Sequence, residues 1–197
     1  MAIVVEHDKR KQEILQKSLD VFIDEGYEDA TFQKIADRCG ITRTTLYIYF
    51  KNKHEIFLGS IKELLGELES TLIQIIKKPG ISCEQGLREL LMALTDSCES
   101  NKKLFSVLLN YLIQLKKSGG DPNERVRRRV VKLRHLLSTI LIKGIKNGEF
   151  KDINVKDVNE LLYCLIEASI FRIAVLNQDN ITEIRGSLNT AVDSILV

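Results

Sequence analysis

Residues 31–53 read TFQKIADRCGITRTTLYIYFKNK, and this stretch decides the fold of the N-terminal part of the chain. Ile35 and Ala36 lie on a short predicted helix that ends in a tight turn at Gly40. Leu46 and Phe50 then face inward, one helical turn apart, on the next helix. Apolar residues at these offsets around a central glycine are what two short helices need to cross as a helix-turn-helix. The spacing alone would also suit an ordinary helical hairpin.

The outward face of the second helix distinguishes these two structures. Its side chains are basic, hydroxyl and aromatic: Arg43, Thr44 and Tyr47 at the centre, Thr42 at the cap, and Thr45 and Tyr49 at the flanks. A solvated helix surface is more commonly filled with Glu, Lys and Gln, which are good helix formers. Arginine forks onto guanine, threonine offers a hydroxyl and a methyl group to thymine, and tyrosine hydroxyls reach phosphates. This face is therefore predicted to contact DNA.

The local charge agrees with a DNA contact, although the whole chain is nearly neutral. The formal net charge is only +2, which by itself argues mildly against a nucleic-acid partner. Between Thr31 and His54, five basic residues stand against one acidic residue, so this segment carries +4. Acidic residues concentrate on and after the first helix, where we expect them to lie away from the duplex. The distribution of charge, and not its total, indicates the partner.

Composition excludes several classes of protein. The chain has 197 residues, is 44% apolar and contains two prolines, which excludes a disordered or fibrous protein. No run of about 18 apolar residues predicts a membrane span, and the N-terminus lacks the basic start of a secretory signal. The four cysteines form no C-x-x-C pair, and no histidine lies at zinc-ligand spacing from them. We therefore expect a cytoplasmic protein with no metal and no cofactor.

Helical periodicity dominates the sequence and predicts an all-α fold of about nine helices. The first helix is predicted to run from after Asp8 to Gly26. Asn52 and Glu55 form a capping box for a long helix that ends at Pro79-Gly80. Later helices are predicted at about 83–99, 102–117, 122–147, 155–177 and 180–196. Short helices followed by long ones predict a helix-turn-helix domain over residues 1–51 and a larger helical bundle over residues 52–197.

The N-terminal stretch resembles the DNA-binding domain of the TetR (tetracycline repressor) family of bacterial regulators. The matching positions are Phe22-x-x-Glu25-Gly26-Tyr27, Thr31-x-x-x-Ile35-Ala36-Asp37 and Gly40-Ile41-x-x-x-x-Leu46-Tyr47-x-Tyr49-Phe50-x-x-Lys53-x-x-Ile56. The resemblance covers residues 10–57. Two departures, Cys39 in place of the usual alanine and Arg43-Thr44 in place of a small or glycine pair, concern packing or the operator that is read.

The resemblance implies an all-α homodimer whose recognition helices enter successive major grooves of a palindromic DNA operator. One set of residues would then face bases or nearby backbone: Arg43, Thr44, Thr45 and Tyr47, with Thr42 at the cap. A second set would contact phosphates: Thr31, Tyr49 and Lys53, with Gln33 contributing from the preceding helix. The remaining helices would form a bundle that responds to a small-molecule effector, and the last two would form a four-helix dimer interface.

The C-terminal part contains a helix that is apolar nearly all round, over residues 158–176. Such a helix needs partners on more than one side, either in its own core or in a second subunit. The final helix is expected to supply the other half of this packing through Ile184, Leu188, Ala191, Val192 and Ile195. The family resemblance favours a homodimer through these last two helices.

Six polar or aromatic side chains within apolar helices are candidates for an effector pocket: Phe105, Asn110, Tyr111, Gln114, Tyr163 and Glu167. Glu167 lies among apolar neighbours, so its charge is expected to be functional or to pair with Arg172 or a neighbouring helix. A basic run from Arg125 to Arg134 suggests a second DNA site or an anionic ligand, but its apolar stripe favours a solvated helix face.

The leading hypothesis is a dimeric transcriptional repressor that an unidentified small molecule releases from DNA. A constitutive DNA-binding or scaffold protein without an effector is the alternative. An enzyme is the rival class, but no histidine lies in a motif with a Ser or Cys nucleophile, and no glycine-rich phosphate loop occurs. We therefore expect no catalytic site.

Overall fold

A computed structural model describes the backbone of residues 2–197 and the side chains from Glu6 onward. Within this described part the chain forms nine helices and no strand, which confirms the all-α prediction. The helices are α1 (Ala2–Asp29), α2 (Phe32–Cys39), α3 (Arg43–Tyr49), α4 (Lys53–Lys77), α5 (Cys83–Ser100), α6 (Lys102–Lys117), α7 (Pro122–Lys146), α8 (Val155–Ala174) and α9 (Thr182–Ile195).

The first helix differs from its prediction at both ends. It begins at Ala2, so Asp8 lies within the helix and does not cap it. Neither proline nor glycine precedes Asp8, and nothing in the sequence therefore stops the helix from extending upstream. Gly26 does interrupt the helix, with φ 82° and ψ 168°, but one more turn follows the kink through Asp29. Glycine takes this positive φ without the steric cost that other residues would meet.

The chain divides into two compact units, Met1–Glu67 and Leu68–Val197, and the division falls within α4. In the first unit, α1 buries Ile14, Leu15, Ser18 and Phe22, whereas Leu19 is half-buried. The first half of α4 packs on this face, since the Ser60 hydroxyl donates to the Leu15 carbonyl at 2.7 Å. The start of α4 thus completes the core beneath the helix-turn-helix.

The second unit has its main core among α5, α8, α9 and the second half of α7. The largest fully buried side chains of this core are aliphatic: Leu87, Leu90, Leu91, Leu137, Leu141 and Leu162. The apolar face of α9 that was expected to partner α8 is buried in the same core. Gly144 on α7 approaches Phe150 so closely that a Cβ there would lie 2.2 Å from the ring, which leaves room only for glycine.

A second set of apolar side chains in this unit remains partly exposed. Apolar side chains of α6, the first half of α7 and the second half of α4 are mostly half-buried: Leu68, Ile73, Ile75 and Ile76 on α4, Phe105, Leu108, Leu109, Leu112 and Leu115 on α6, and Val126, Val130, Leu133 and Leu136 on α7. Helix α4 contacts α7 here, because Glu69 pairs with Arg129 and Lys132 at 3.0 and 2.6 Å. Within the part of the chain described, no helix is long and apolar enough to cross a membrane.

Candidate nucleic-acid interface

Helices α2 and α3 form the predicted helix-turn-helix. The Thr31 hydroxyl caps α2 by accepting from the Lys34 amide at 3.2 Å, and the Thr42 hydroxyl caps α3 by accepting from the Thr45 amide at 3.0 Å. Between them Gly40 adopts the left-handed conformation, with φ 66° and ψ 34°. This turn lets the Ile41 amide donate to the Ala36 carbonyl at 3.1 Å. The two hydroxyl caps and the glycine therefore terminate the helices locally.

The predicted inward residues set which side of α3 faces solvent. Leu46 and Phe50 are buried, and Ile35 and Ala36 of α2 are completely buried. Since successive helical residues turn by about 100°, the direction opposite Leu46 and Phe50 lies between Thr44 and Ile48. Both residues are exposed, and Ile48 is 70% exposed.

Ile48 is a candidate contact that inspection of the residue types missed. Its residue type gives no such signal, because an apolar residue on an amphipathic helix normally belongs to the core. The inward positions of Leu46 and Phe50 already exclude Ile48 from the core by helical geometry. An exposed isoleucine can make apolar contact with a thymine methyl group in the major groove.

Arg43 and Tyr47 form one edge of the exposed face. The Arg43 guanidinium donates to the Tyr47 hydroxyl at 3.1 Å and lies 5.6 Å from the centre of its ring. The Tyr47 ring also stacks on Phe32 of α2, with ring centres 4.5 Å apart. Because Phe32 is buried, it provides a fixed support for Tyr47. The edge is therefore held in place before any partner binds.

The remaining predicted contacts of α2 and α3 lie around this face. Thr45 is half-buried, with its hydroxyl 2.8 Å from that of Thr42. Tyr49 is half-buried and stacks on His7 of α1, with ring centres 4.8 Å apart. Gln33 is exposed and donates to Asp37 at 2.7 Å. The structure thus brings α1 next to the recognition helix through the His7–Tyr49 stack.

Lys53 lies at the beginning of α4, as expected, but its ammonium group is already engaged. It donates to the carbonyl oxygens of Tyr27, Glu28 and Ala30 at 2.8, 2.7 and 3.1 Å. These carbonyls belong to the C-terminal end of α1, where a helix leaves acceptors without intrahelical partners. Lys53 therefore joins the end of α1 to the start of α4, a role that its position in the sequence did not indicate.

The capping box of α4 forms with one difference. The Asn52 side chain accepts from the Glu55 amide at 2.9 Å, as predicted. The Glu55 carboxylate accepts from the amide of Lys51 at 2.8 Å, one residue before the cap. The box thus ties the end of the recognition segment to α4.

Ion pairs reduce the positive charge of the helix-turn-helix. Lys34 pairs with Glu25 at 2.6 Å, and Arg38 pairs with Asp24 at 2.9 Å. The hydrogen bond from Asp24 raises the pKa of Arg38 above its ordinary value. The acidic residues of α1 therefore neutralise two of the five cations of this segment.

The six predicted effector residues do not share one environment. Tyr111 is buried, Phe105 and Tyr163 are half-buried, and Asn110 and Gln114 are exposed. Burial and a hydrogen bond with Glu167 raise the pKa of Tyr163 to about 12, and the Arg134 guanidinium lies 4.4 Å from its ring centre.

Glu167 is exposed, so its apolar neighbours in sequence do not bury its charge. Its suggested partner Arg172 instead pairs with Glu183 of α9 at 2.6 Å. Apolar neighbours in sequence did not imply burial here, because α8 has a second apolar face that the single chain leaves open. Among the described side chains, no group of His, Cys, Asp and Glu is placed to hold a metal ion.

The fold and this site define a helix-turn-helix DNA-binding regulator, and comparisons agree. The family described as bacterial regulatory proteins, tetR family, matches residues 14–59. The HTH-type transcriptional regulator YfiR of Bacillus subtilis is 30% identical over 154 residues, which cover 77% of this chain and 73% of YfiR. The chain belongs to the TetR family of transcriptional regulators.

Three further similarities cover most of the chain. The fatty acid metabolism regulator protein of Bacillus subtilis is 25% identical over 166 residues, covering 80% of each chain. A TetR transcription regulator from Haloarcula marismortui superposes with a TM-score of 0.85 at 22% identity, covering 96% of this chain and 100% of that one. FadR from Bacillus subtilis, solved in complex with stearoyl-CoA, superposes with a TM-score of 0.73 at 20% identity, covering 94% and 97%.

Proposed function

We propose that this regulator is a dimeric repressor that reads a palindromic operator and is released by a long-chain acyl thioester. The observation that carries the proposal is the exposed face of α3, on which Arg43, Thr44 and Ile48 stand clear of the core. Two copies of α3 related by two-fold symmetry would occupy successive major grooves.

The contacts are proposed to divide by chemistry. Base edges would be read by Thr44 and Ile48, which lie opposite the buried side of α3, and by the exposed Arg43 at the edge of that face. Phosphates and nearby backbone would be bound by the hydroxyl and amide side chains around that face: Thr31, Gln33, Thr42, Thr45, Tyr47 and Tyr49. Lys53 is proposed to contact a phosphate only when its ammonium group releases the carbonyl oxygens at the end of α1.

Arg43→Ala should weaken binding to the selected operator by about 1–3 kcal/mol, because a bidentate arginine contact discriminates by roughly that amount. Fluorescence anisotropy with the operator and with single-base variants measures the effect. Tyr47→Phe is the companion variant: it removes the hydroxyl that accepts from Arg43 and keeps the ring on Phe32, so it should weaken all operator sequences alike. An unchanged operator preference in Arg43→Ala would refute the assignment of this residue to a base.

Ile48→Ala should leave folding stability nearly unchanged, because the side chain is 70% exposed. It should relax the preference for thymine at one position of each half-site by roughly fivefold, since only an apolar contact is lost. Selection of bound fragments from random DNA with both proteins checks this result. Identical selected sequences for Ile48→Ala and the unmodified chain would remove Ile48 from the interface.

The dimer is proposed to form through the open face of α8. Five apolar residues of α8 and its C-terminal end repeat at helical spacing, and of these Leu165 and Ala168 also touch the core: Leu161, Leu165, Ala168, Phe171 and Val175. Leu161, Phe171 and Val175 are about half exposed. Next to α8, the outer face of α9 carries Gly186, Ser187 and Thr190, which are small enough for close helix packing. A contiguous apolar stripe of this kind is typical of a protein interface.

The effector is proposed from two independent features. The Bacillus subtilis structure similar to this chain contains stearoyl-CoA. In this chain the half-buried apolar side chains of α4, α6 and the first half of α7 form a region where an acyl chain would find apolar contacts without dismantling the main core. Release requires that the effector bind better to a conformation that does not bind the operator.

The test starts from an operator selected from random DNA with the intact chain. Stearoyl-CoA, palmitoyl-CoA, free coenzyme A and palmitate are then titrated into the complex at constant ionic strength. We expect the two acyl thioesters to release DNA and free coenzyme A to leave the complex intact. If neither thioester binds or releases DNA, the regulator is better described by the alternative, a constitutive DNA-binding protein.

A further inference from the structure

The connection between α6 and α7 is flanked by basic side chains that the helix-turn-helix does not use. Lys116 and Lys117 end α6, and Arg125, Arg127 and Arg128 lie in the first turns of α7. All five side chains are exposed. The basic residues at the end of α6 and at the beginning of α7 therefore form one cationic end of the second unit.

Ion pairing separates the basic residues of α7 into two groups. Arg129 and Lys132 share Glu69 of α4, and Arg134 pairs with Glu160 of α8. Arg125 and Arg128 have no ion pair within 4.0 Å among the described side chains. Two cations one helical turn apart repel each other. Because Arg125 and Arg128 lack a carboxylate partner in the described part of the chain, their repulsion is an electrostatic cost that a bound anion would relieve.

Helical geometry places the unpaired cations on a defined side of α7. Arg125 and Arg128 lie about 60° apart around the helix, on the same side as Arg129, whereas Arg127 points about 160° away from Arg125. The pairing of Arg129 with Glu69 shows that this side faces α4. Arg127 is therefore charged and exposed like Arg125 and Arg128, but it lies on a different side of α7.

The cations also adjoin the half-buried apolar side chains of α6 and α7, since Lys116 follows Leu115 and Arg125 precedes Val126. Burial raises the pKa of the Tyr111 hydroxyl on α6, and the charge of Arg125 opposes this rise. Tyr111 follows the half-buried Leu108 and precedes Leu112 and Leu115 on the same helix. An apolar region with a cationic end is complementary to a ligand with an acyl chain and an anionic head.

We propose that Arg125 and Arg128, with Lys116 and Lys117 at the adjoining end of α6, bind the phosphate groups of the thioester effector. This assignment rests on the proposed acyl-thioester function. A phosphate site explains why two cations without ion-pair partners among the described residues lie at the end of the apolar region. A solvated helix face gives no reason for Arg125 and Arg128 to lie on the same side of α7 with no described carboxylate beside them. Arginine suits this role because its planar fork binds two phosphate oxygens at once.

The experiment compares Arg125→Gln/Arg128→Gln with two matched controls. Arg127→Gln removes one cation from the other side of the same turns. Lys146→Gln removes one from the far end of α7, about 27 Å from Arg128 along the helix. Because these side chains are exposed, all the variants should keep the thermal stability of the unmodified chain, which circular dichroism verifies.

Isothermal titration measures palmitoyl-CoA, free coenzyme A and palmitate with each protein at two salt concentrations. We expect the double variant to bind palmitoyl-CoA roughly tenfold more weakly, to lose salt dependence, and to bind palmitate as before. Both controls should behave as the unmodified chain. Equal affinity of the double variant and the unmodified chain for palmitoyl-CoA would overturn the proposal.

Two other results separate this proposal from the proposed function. If free coenzyme A binds the unmodified chain but not the double variant, while palmitoyl-CoA fails to release the operator, the phosphate site stands and the release function fails. If the double variant binds operator DNA more weakly and palmitoyl-CoA equally well, the cations serve DNA and the phosphate site is refuted.

Discussion

Phe171→Lys should convert the protein into a monomer and reduce operator affinity about 100-fold or more. Phe171 lies on the open apolar face of α8 and is 52% exposed in the single chain. A lysine there would place two charges against each other, or against apolar side chains, in a two-fold interface. Affinity would fall because each half-site would then be bound separately, without the gain of linking two binding events.

Ile113→Lys is the control for this prediction. Ile113 lies on α6 and is also 52% exposed, so the same change in charge is made outside the proposed interface. Sedimentation velocity measures the oligomeric state, and anisotropy with full and half operators measures binding. A dimeric Phe171→Lys variant with normal operator affinity would show that another face forms the dimer.

Lys53→Met should destabilise the first unit by about 2 kcal/mol. The substitution keeps the length of the side chain but leaves the carbonyls of Tyr27, Glu28 and Ala30 without the ammonium that now binds them. Hydrogen bonds with a charged group contribute about 1.5–3 kcal/mol net. Urea denaturation followed by circular dichroism measures the loss, and Lys51→Met is a neighbouring control at an exposed position.

Lys53→Arg separates this structural role from a phosphate contact. Arginine keeps the charge, but its planar fork does not match three convergent carbonyls. If the ammonium only joins α1 to α4, both variants should be less stable and should retain the salt dependence of operator binding once folded. A salt slope that falls by about one in Lys53→Met and not in Lys53→Arg would establish the phosphate contact. Full stability of Lys53→Met would show that the carbonyl contacts do not stabilise the unit.

The elements with local signals were predicted from the sequence. The predicted caps at Thr42 and Asn52 both form, because each requires only a side chain and an amide three residues away. The inward positions of Leu46 and Phe50 follow equally from helical spacing. The DNA-contacting roles that this geometry suggests for Arg43, Thr44 and their neighbours remain predictions.

Features that depend on residues far apart in the sequence were harder to predict from the sequence. The neutralisation of Lys34 and Arg38 by acidic residues of α1 depends on how α1 and α2 cross. The exposure of Glu167 was not evident from the sequence for the same reason, because its apolar neighbours in sequence belong to two different faces of α8. Local composition does not specify which of these faces the core covers.

The sequence by itself determined the helix-turn-helix, the helical bundle and the family, because turns, caps and apolar periodicity act over a few residues. Only the tertiary structure decided which charges are free. It placed Lys53 on the end of α1, paired Arg129 and Lys132 with Glu69, and left Arg125 and Arg128 without an ion pair among the side chains described from Glu6 onward. The physical reason is that a charge interacts with whatever the fold brings within a few ångströms, and residues separated by dozens of positions in sequence carry no local sign of that proximity.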